Sequence, residues 1–253
     1  MQQDSDQGAA DILIPVRNRF SDTRRLLECV YRFTDHPFHI YIIDNASTDG
    51  TADLHKIYTR DITIVRNREN RGWRAAIHQG IELGSSPYLV LLHTDIELAS
   101  RWLANMMGFL TTHPRIAAVG PLTSDEADWQ CVDRVRDTIV PQIPRFFTED
   151  IHERNRILQY HFQHAGVLVE GPLALFCTVL ARRAVQDAGW LKDGSVGGDD
   201  ADYCRKLRKA GYVLGLALGT YVVRHTRLVT RPEPMMSGPS ETKVQRRRNS
   251  IRA

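Results

Sequence analysis

Short apolar runs alternate with helical stripes over the first 120 residues. Asp11–Val16 (DILIPV), Phe38–Ile43 (FHIYII), Ile62–Val65 (ITIV), Tyr88–Leu92 (YLVLL) and Ala117–Gly120 read as strands. Between them, apolar residues recur at intervals of three and four: Leu26, Leu27, Val30 and Phe33, then Trp73, Ala76, Ile77, Gly80, Ile81 and Gly84, then Trp102, Leu103, Met106, Met107 and Leu110. Ser21 is placed to cap the first helix, and Ser47, Thr48 and Asp49 offer caps for another. Strands separated by helices of this length imply βαβ units. The expected class is therefore α/β, with a mostly parallel central sheet and helices on both faces.

The alternation breaks between Thr123 and Ala165, a polar excursion with the acidic stretch Asp125-Glu126-Ala127-Asp128 and two prolines, Pro141 and Pro144. One helix is expected inside it, around His152–Phe162, and insertions of this length are often functional loops. Apolar character returns at Leu173–Leu180. Asp199–Gly211 reads as a helix with Tyr203, Cys204, Leu207 and Ala210 on one face and Gly211 as its stop. Tyr212–Val223 is a last strand region, closing at Arg224-His225.

Open parallel sheets bind ligands beyond the carboxyl ends of their strands. That rule turns the pattern into a set of candidate positions: Pro15, Val16, Arg17 and Asn18 after the first strand, Asp44-Asn45 after the second, His93-Thr94-Asp95 after the fourth, and Arg224-His225 after the last. Two strand ends carrying a carboxylate within one half-sheet point to a polar ligand with a cation. No G-x-G-x-x-G follows the first strand and no G-x-x-x-x-G-K-[ST] occurs, which weighs against dinucleotide oxidoreductases and P-loop nucleotidases. A phosphate-bearing ligand then needs another partner, and a divalent metal at Asp95 would supply one.

The 253 residues are 42% hydrophobic and 25% charged, which excludes disorder of the whole chain. The longest nearly apolar run, Val213–Val223, is too short to span a membrane, which needs about 20 residues. The polar, acidic start is not expected to be a signal peptide. The net charge of +3 is a property of one end, because Arg231–Ala253 carries +4. Such a tail is expected to be solvated, or to touch an acidic membrane surface. Nucleic acid is not expected, because the basic residues are not interleaved with aromatic ones. Cys29, Cys131, Cys177 and Cys204 form no C-x-x-C pair and read as reduced residues of a cytosolic protein.

Six stretches in order carry a family likeness: IPVRNR at 14–19, IIDNASTDGT at 42–51, NRENRGWRAAIHQGIE at 67–82, YLVLLHTDIEL at 88–98, ARRAVQDAGWLKDGSVGGDDADYCRKLRKAGY at 181–212 and VVRHT at 222–226. Together they resemble a nucleotide-sugar glycosyltransferase of the GT-A type, family 2, over residues 11 to 226. The resemblance implies a Rossmann-like nucleotide-sugar half at 11–122 and an acceptor and catalytic half at 123–230. These would make a single domain, 11–230, between a flexible N-terminus at 1–10 and the basic tail at 231–253.

The same resemblance implies the roles. Asp44 would accept a hydrogen bond from the nucleotide base. Pro15, Arg17, Arg71, Gly72, Trp73, Arg74 and Thr94 would line the donor pocket and approach the diphosphate. Asp95 matches the last Asp of the D-x-D metal motif, and His225 matches a histidine that often completes the metal or diphosphate site. His93 stands where the family usually has Asp or Asn, so it could ligate metal, bind phosphate or do neither. Asp200 matches the general base, with Asp199 in place of the usual Glu. The implied cofactors are Mn²⁺ or Mg²⁺ and a nucleotide-sugar donor, a UDP-sugar for preference. The acceptor would be an unidentified glycan, lipid-linked or protein-linked hydroxyl, and the place cytoplasmic, with peripheral contact at the inner face of a membrane. In 245–249, QRRRN is faintly similar to the Q-x-x-R-W motif of processive relatives but lacks its Trp.

Each role has a plainer alternative. Asp199 and Asp200 could cap a helix, Asp44 could cap a turn, Trp73 could be core and His225 an ordinary strand-end residue. Two other functions were weighed: a non-catalytic nucleotide-binding module of the same fold, and a non-haem iron oxygenase with His93, Asp95 and His225 as its facial triad.

Overall fold

The computed structural model describes residues 8–146, 148–191 and 199–225. Nine strands share one sheet: β1 (Ala10–Val16), β2 (Phe38–Asp44), β3 (Ile62–Arg66), β4 (Tyr88–Leu92), β5 (Ile96–Glu97), β6 (Ile116–Thr123), β7 (Gly166–Val169), β8 (Cys177–Ala181) and β9 (Val213–Arg224). Their order is β3-β2-β1-β4-β8-β6-β9-β5, with β7 also on β9. The first four are mutually parallel. β8 runs antiparallel between β4 and β6, and β9 returns parallel to β6. The three short strands β5, β7 and β8 alone oppose the common direction.

Seven α-helices accompany the sheet among the described residues: α1 (Phe20–Phe33), α2 (Gly72–Leu83), α3 (Trp102–Leu110), α4 (Val132–Thr138), α5 (Ile151–Phe162), α6 (Arg182–Ala188) and α7 (Asp199–Lys209). The expected stripes face inward. Leu26, Leu27 and Val30 of α1, Ala76, Ile77 and Gly80 of α2, and all five apolar positions of α3 are buried. On α7, Tyr203, Cys204 and Leu207 are buried and Ala210 is exposed. Gly211 takes φ +88, the left-handed conformation that ends a helix.

Ser21 does not cap α1. It lies inside the helix, and the Phe20 N–H is taken instead by the Asp49 carboxylate, 29 residues away. Asp49 also caps the 3₁₀-helix Gly50–Lys56 through the Thr51 N–H, in the place where a second helix was expected. The excursion from Thr123 holds two helices rather than one. Val132, Val135, Val140, Ile143, Ile151 and Leu158 form their own apolar cluster with Leu216, Leu218 and Tyr221 of β9. The Asn155 side chain bonds both backbone groups of Tyr221, at 2.6 and 3.0 Å, and fixes α5 along that strand. Of the apolar run Leu173–Leu180, only Cys177–Leu180 joins the sheet, in β8. The preceding residues are buried by other means: the Gln130 side chain accepts from Ala174 N–H and donates to the Pro121 carbonyl. Among the described residues no helix is long and apolar enough to cross a membrane. The basic tail, 231–253, lies outside the described residues.

Candidate active site

The carboxyl ends of β1 and β4 and the start of α2 enclose a cleft of about 220 Å³, lined by Pro15, Val16, Arg17, Arg19, Trp73, His93, Thr94 and Asp95. Five of the expected donor-site residues line it: Pro15, Arg17, Trp73, Thr94 and Asp95, with His93 beside them. Gly72 takes φ +80 at the start of α2, a conformation that lets the chain turn into the helix at the rim. Trp73 then meets His93 edge-on, with ring centroids 6.2 Å apart, and packs on Trp190 at 5.9 Å. Its indole N–H is buried without a hydrogen-bond partner. Burial pushes the His93 imidazole below its ordinary range, against the pull of Asp95, so it is neutral at pH 7.

Asp95 carries the second orphan. Its Oδ1 is buried without a hydrogen-bond partner, and its Oδ2 lies 3.6 Å from Arg224 Nε. The backbone explains this meeting. β5 pairs with β9 through Ile96↔Arg224, and His225 N–H donates to the Asp95 carbonyl at 2.7 Å. On the other side, Arg224 N–H donates to Ser124 Oγ, and Arg224 Nη1 reaches Asp125 Oδ2 at 3.3 Å. The guanidinium lies over the Phe176 ring at 4.9 Å. It is flanked by the cleft and by the acidic stretch of the excursion.

Two more carboxyls feel the same guanidinium. Burial raises Asp128 above the ordinary carboxylate range, with Asp125 adding to the rise and Arg224 opposing it. Burial likewise raises Asp200, at the N-terminus of α7. Asp128 and Asp199 push in the same direction, while the Leu175 N–H and Arg224 pull it back. A helix N-terminus favours the ionised form of an acid; here desolvation and neighbouring acids outweigh it. Asp199 is engaged separately, accepting from Arg74 Nε at 2.8 Å and from Arg74 Nη2. Arg74 of α2 is thereby bonded to the residue beside Asp200.

Other candidates stand further off. Asp44 is fully buried and does not line the cleft. Its Oδ1 accepts from Ser47 N–H at 2.8 Å, as a turn-capping Asp does, and its Oδ2 has no hydrogen-bond partner. Arg71 is exposed, immediately before α2. His225 turns its imidazole to Glu97 Oε2, at 3.1 Å. Among the described residues no three His, Cys, Asp or Glu side chains converge as a metal cage. The facial triad of His93, Asp95 and His225 is therefore not assembled. Sequence reasoning placed Arg224 among the strand-end candidates but gave it no role, and gave none to Asp125 or Asp128. They were visible only as a strand end and as the acidity of an excursion.

The glycosyl transferase family 2 model matches residues 11–171. The pre-mycofactocin glycosyltransferase of Mycobacterium tuberculosis is 23% identical over 208 residues, 79% of this chain and 39% of that protein. The chain thus spans about two fifths of the length of that relative. Among solved structures, the mannosyltransferase PcManGT from Pyrobaculum calidifontis, in complex with GDP-Man and Mn²⁺, superposes with a TM-score of 0.68 at 17% identity, covering 89% of this chain and 59% of the other. GalNAc-T7 with UDP, GalNAc and Mn²⁺ gives 0.66, also at 17%, covering 89% and 45%. At that identity the likeness is one of fold.

Proposed function

The chain belongs to glycosyl transferase family 2, and from that membership we propose that it moves a sugar from a nucleotide-diphosphate sugar to an acceptor hydroxyl, with inversion. The single observation that carries the reading is the shared rim. Asp95 in the cleft and Asp125 on the excursion both pair with one guanidinium, and Asp200 on α7 lies within its electrostatic reach. Residues 11–225 act in this reading as one domain, with the donor beside β1, β4 and α2 and the acceptor beside the excursion.

The residues fit a divalent cation held jointly with phosphate. Asp95 Oδ1 is a buried hard oxygen without a donor, and Mg²⁺ or Mn²⁺ sites commonly use one or two carboxylates with substrate phosphates and water. Asp95 would hold the ion, with neutral His93 beside it, and His225 could join only by giving up Glu97. When bound, such an ion neutralises charge developing on the diphosphate.

The chain's own groups do the rest. Trp73 forms a wall of the donor cleft, and Asp44 Oδ2 is the acceptor offered to the nucleotide base, uracil for preference. The bond from the anomeric carbon to the diphosphate oxygen breaks, and the electron pair leaves with the diphosphate. The sugar passes through an oxocarbenium-like state. The acceptor oxygen bonds to the opposite face of that carbon and gives its proton to the Asp200 carboxylate. A carboxyl raised by burial is a stronger base than an exposed one, which suits it to this transfer. Arg74 holds Asp199 and keeps the first turn of α7 in place.

The test is a panel of UDP-, GDP- and dTDP-sugars with Mn²⁺ or Mg²⁺, followed by nucleotide release and by the anomeric configuration of the product in NMR. One donor is expected to be consumed, with an inverted product. Retention overturns the single displacement. Nucleotide binding with no sugar consumed by any acceptor class favours a non-catalytic module.

A further inference from the structure

Arg224 faces an imbalance that its ion pairs do not resolve. Asp95 and Asp125 lie at 3.6 and 3.3 Å from its guanidinium, and it acts electrostatically on Asp128 and Asp200 as well. Two carboxylates thus crowd one cation, with two more carboxyls in its electrostatic reach. The crowding leaves hydrogen bonds unmade on both sides: Arg224 Nε is buried with no hydrogen-bond acceptor, and Asp95 Oδ1 with no donor. The group is partly open to solvent, with 24% of the side chain exposed. Its plane is held over Phe176. A planar fork with an unused N–H, beside a carboxylate that lines a cleft, is suited to phosphate oxygens. The other basic residues of the cleft are differently placed: Arg19 pairs with Asp22 at 3.2 Å, and Arg17 is exposed.

We infer that Arg224 is a diphosphate-binding cation supplied by the chain itself, which neutralises Asp95 and Asp125 in the free protein and contacts the phosphate oxygens of the donor. This rests on the proposed nucleotide-sugar reading and extends it. Arg224 and a divalent ion share Asp95, so part of the charge on the leaving diphosphate is met without any metal. A guanidinium that served only to pin the excursion to the rim would have no such effect on nucleotide affinity.

The experiment is titration calorimetry with UDP and with GDP, each in EDTA and in Mn²⁺, and with Mn²⁺ alone, on the full chain and on R224M and R224K. The wild type is expected to bind one of the two nucleotides measurably in EDTA. R224M should lose about tenfold of that metal-free affinity or more, as expected for a charge-assisted pair, and should bind Mn²⁺ alone several-fold more tightly, because Asp95 is released. R224K, which keeps the charge and loses the fork, should recover part of the loss. If R224M does not fold in a thermal melt, R224K carries the same comparison with a smaller fall. Metal-free affinity unchanged in the variants, or wild-type binding that requires Mn²⁺ absolutely, overturns the inference. Mn²⁺ affinity that falls in R224M overturns the sharing of Asp95. If the wild type binds neither nucleotide under either condition, the nucleotide-sugar reading itself fails and this inference fails with it.

Discussion

In the parallel half of the sheet, buried carboxylates are answered locally. Asp11 accepts from Ser86 N–H at 2.9 Å, from Ser86 Oγ at 2.7 Å and from Arg182 Nη2 at 2.7 Å. Asp44 closes its own turn through Ser47 with Oδ1, and its Oδ2 faces Arg66 Nε at 3.6 Å. Beyond β8 the arrangement is different. Asp128 and Asp200 are half-buried near one another and near further acids, and both are held above the ordinary carboxylate range. The comparison separates acids that hold the fold from acids whose charge the fold leaves to be answered by something else. In the first group desolvation is offset by fixed donors; in the second it is not, and such unrelieved sites are where chemistry is expected.

The sharpest way to break that contrast is D200N. Loss of a positioned base should lower kcat by about a thousandfold, while UDP or GDP affinity stays within about threefold; calorimetry beside turnover separates the two. In the wild type, kcat/KM should rise with pH along a limb above the ordinary carboxylate range, because burial raises the free-enzyme Asp200. D200N should remove that limb. Stability follows the same sign. The folded pKa lies above the unfolded one, so Asp200 contributes stability fully below its unfolded pKa and loses that contribution as pH rises through the folded one. D200N should therefore lose less stability than the wild type between acidic and neutral pH. Turnover by D200N at the wild-type rate would place the base elsewhere.

D11A probes the other side of the comparison. It leaves Arg182 buried without its carboxylate, and removing one partner of a buried pair costs about 3–5 kcal/mol. Chemical denaturation should register that loss. Nucleotide affinity at a temperature where the variant remains folded should be unchanged, since Asp11 lies outside the cleft lining. A fall in affinity without a fall in stability would contradict the division.

How far the sequence reveals this division depends on chain distance. The parallel half was legible because its strands are continuous apolar runs between amphipathic stripes, a pattern set by neighbours a few residues away. The direction of β8 was not, because a strand buried on both faces reads the same whether parallel or antiparallel. β5 has two residues and no periodicity to detect. The excursion reads as polar, although its apolar positions are enough for two helices against β9 once Asn155 fixes the contact. Asp95, His93, Thr94, Pro15 and Arg17 were found at the rim because strand ends announce it, and Trp73 through the family likeness. Arg224 was read as a strand-end position without a role, because its setting comes from Asp95, Asp125 and Asp200, which lie 129, 99 and 24 residues away along the chain. Its residue type does not carry that information.

The smallest expected effect tests whether the donor half is as self-satisfied as its acids suggest. Trp73 lines the cleft there with a buried indole N–H that bonds to nothing. W73F keeps an aromatic wall against His93 and Trp190 and removes the orphan donor. The lost ring volume and the relieved donor oppose each other, so stability should change by no more than about 1 kcal/mol. If the N–H is kept for the donor, UDP or GDP affinity should fall by about fivefold, the scale of one hydrogen bond. Unchanged affinity would make Trp73 part of the core. The polar groups left to be answered by a ligand would then lie on Asp44, Asp95 and beyond β8, and the α2 wall would contribute chiefly shape to the cleft.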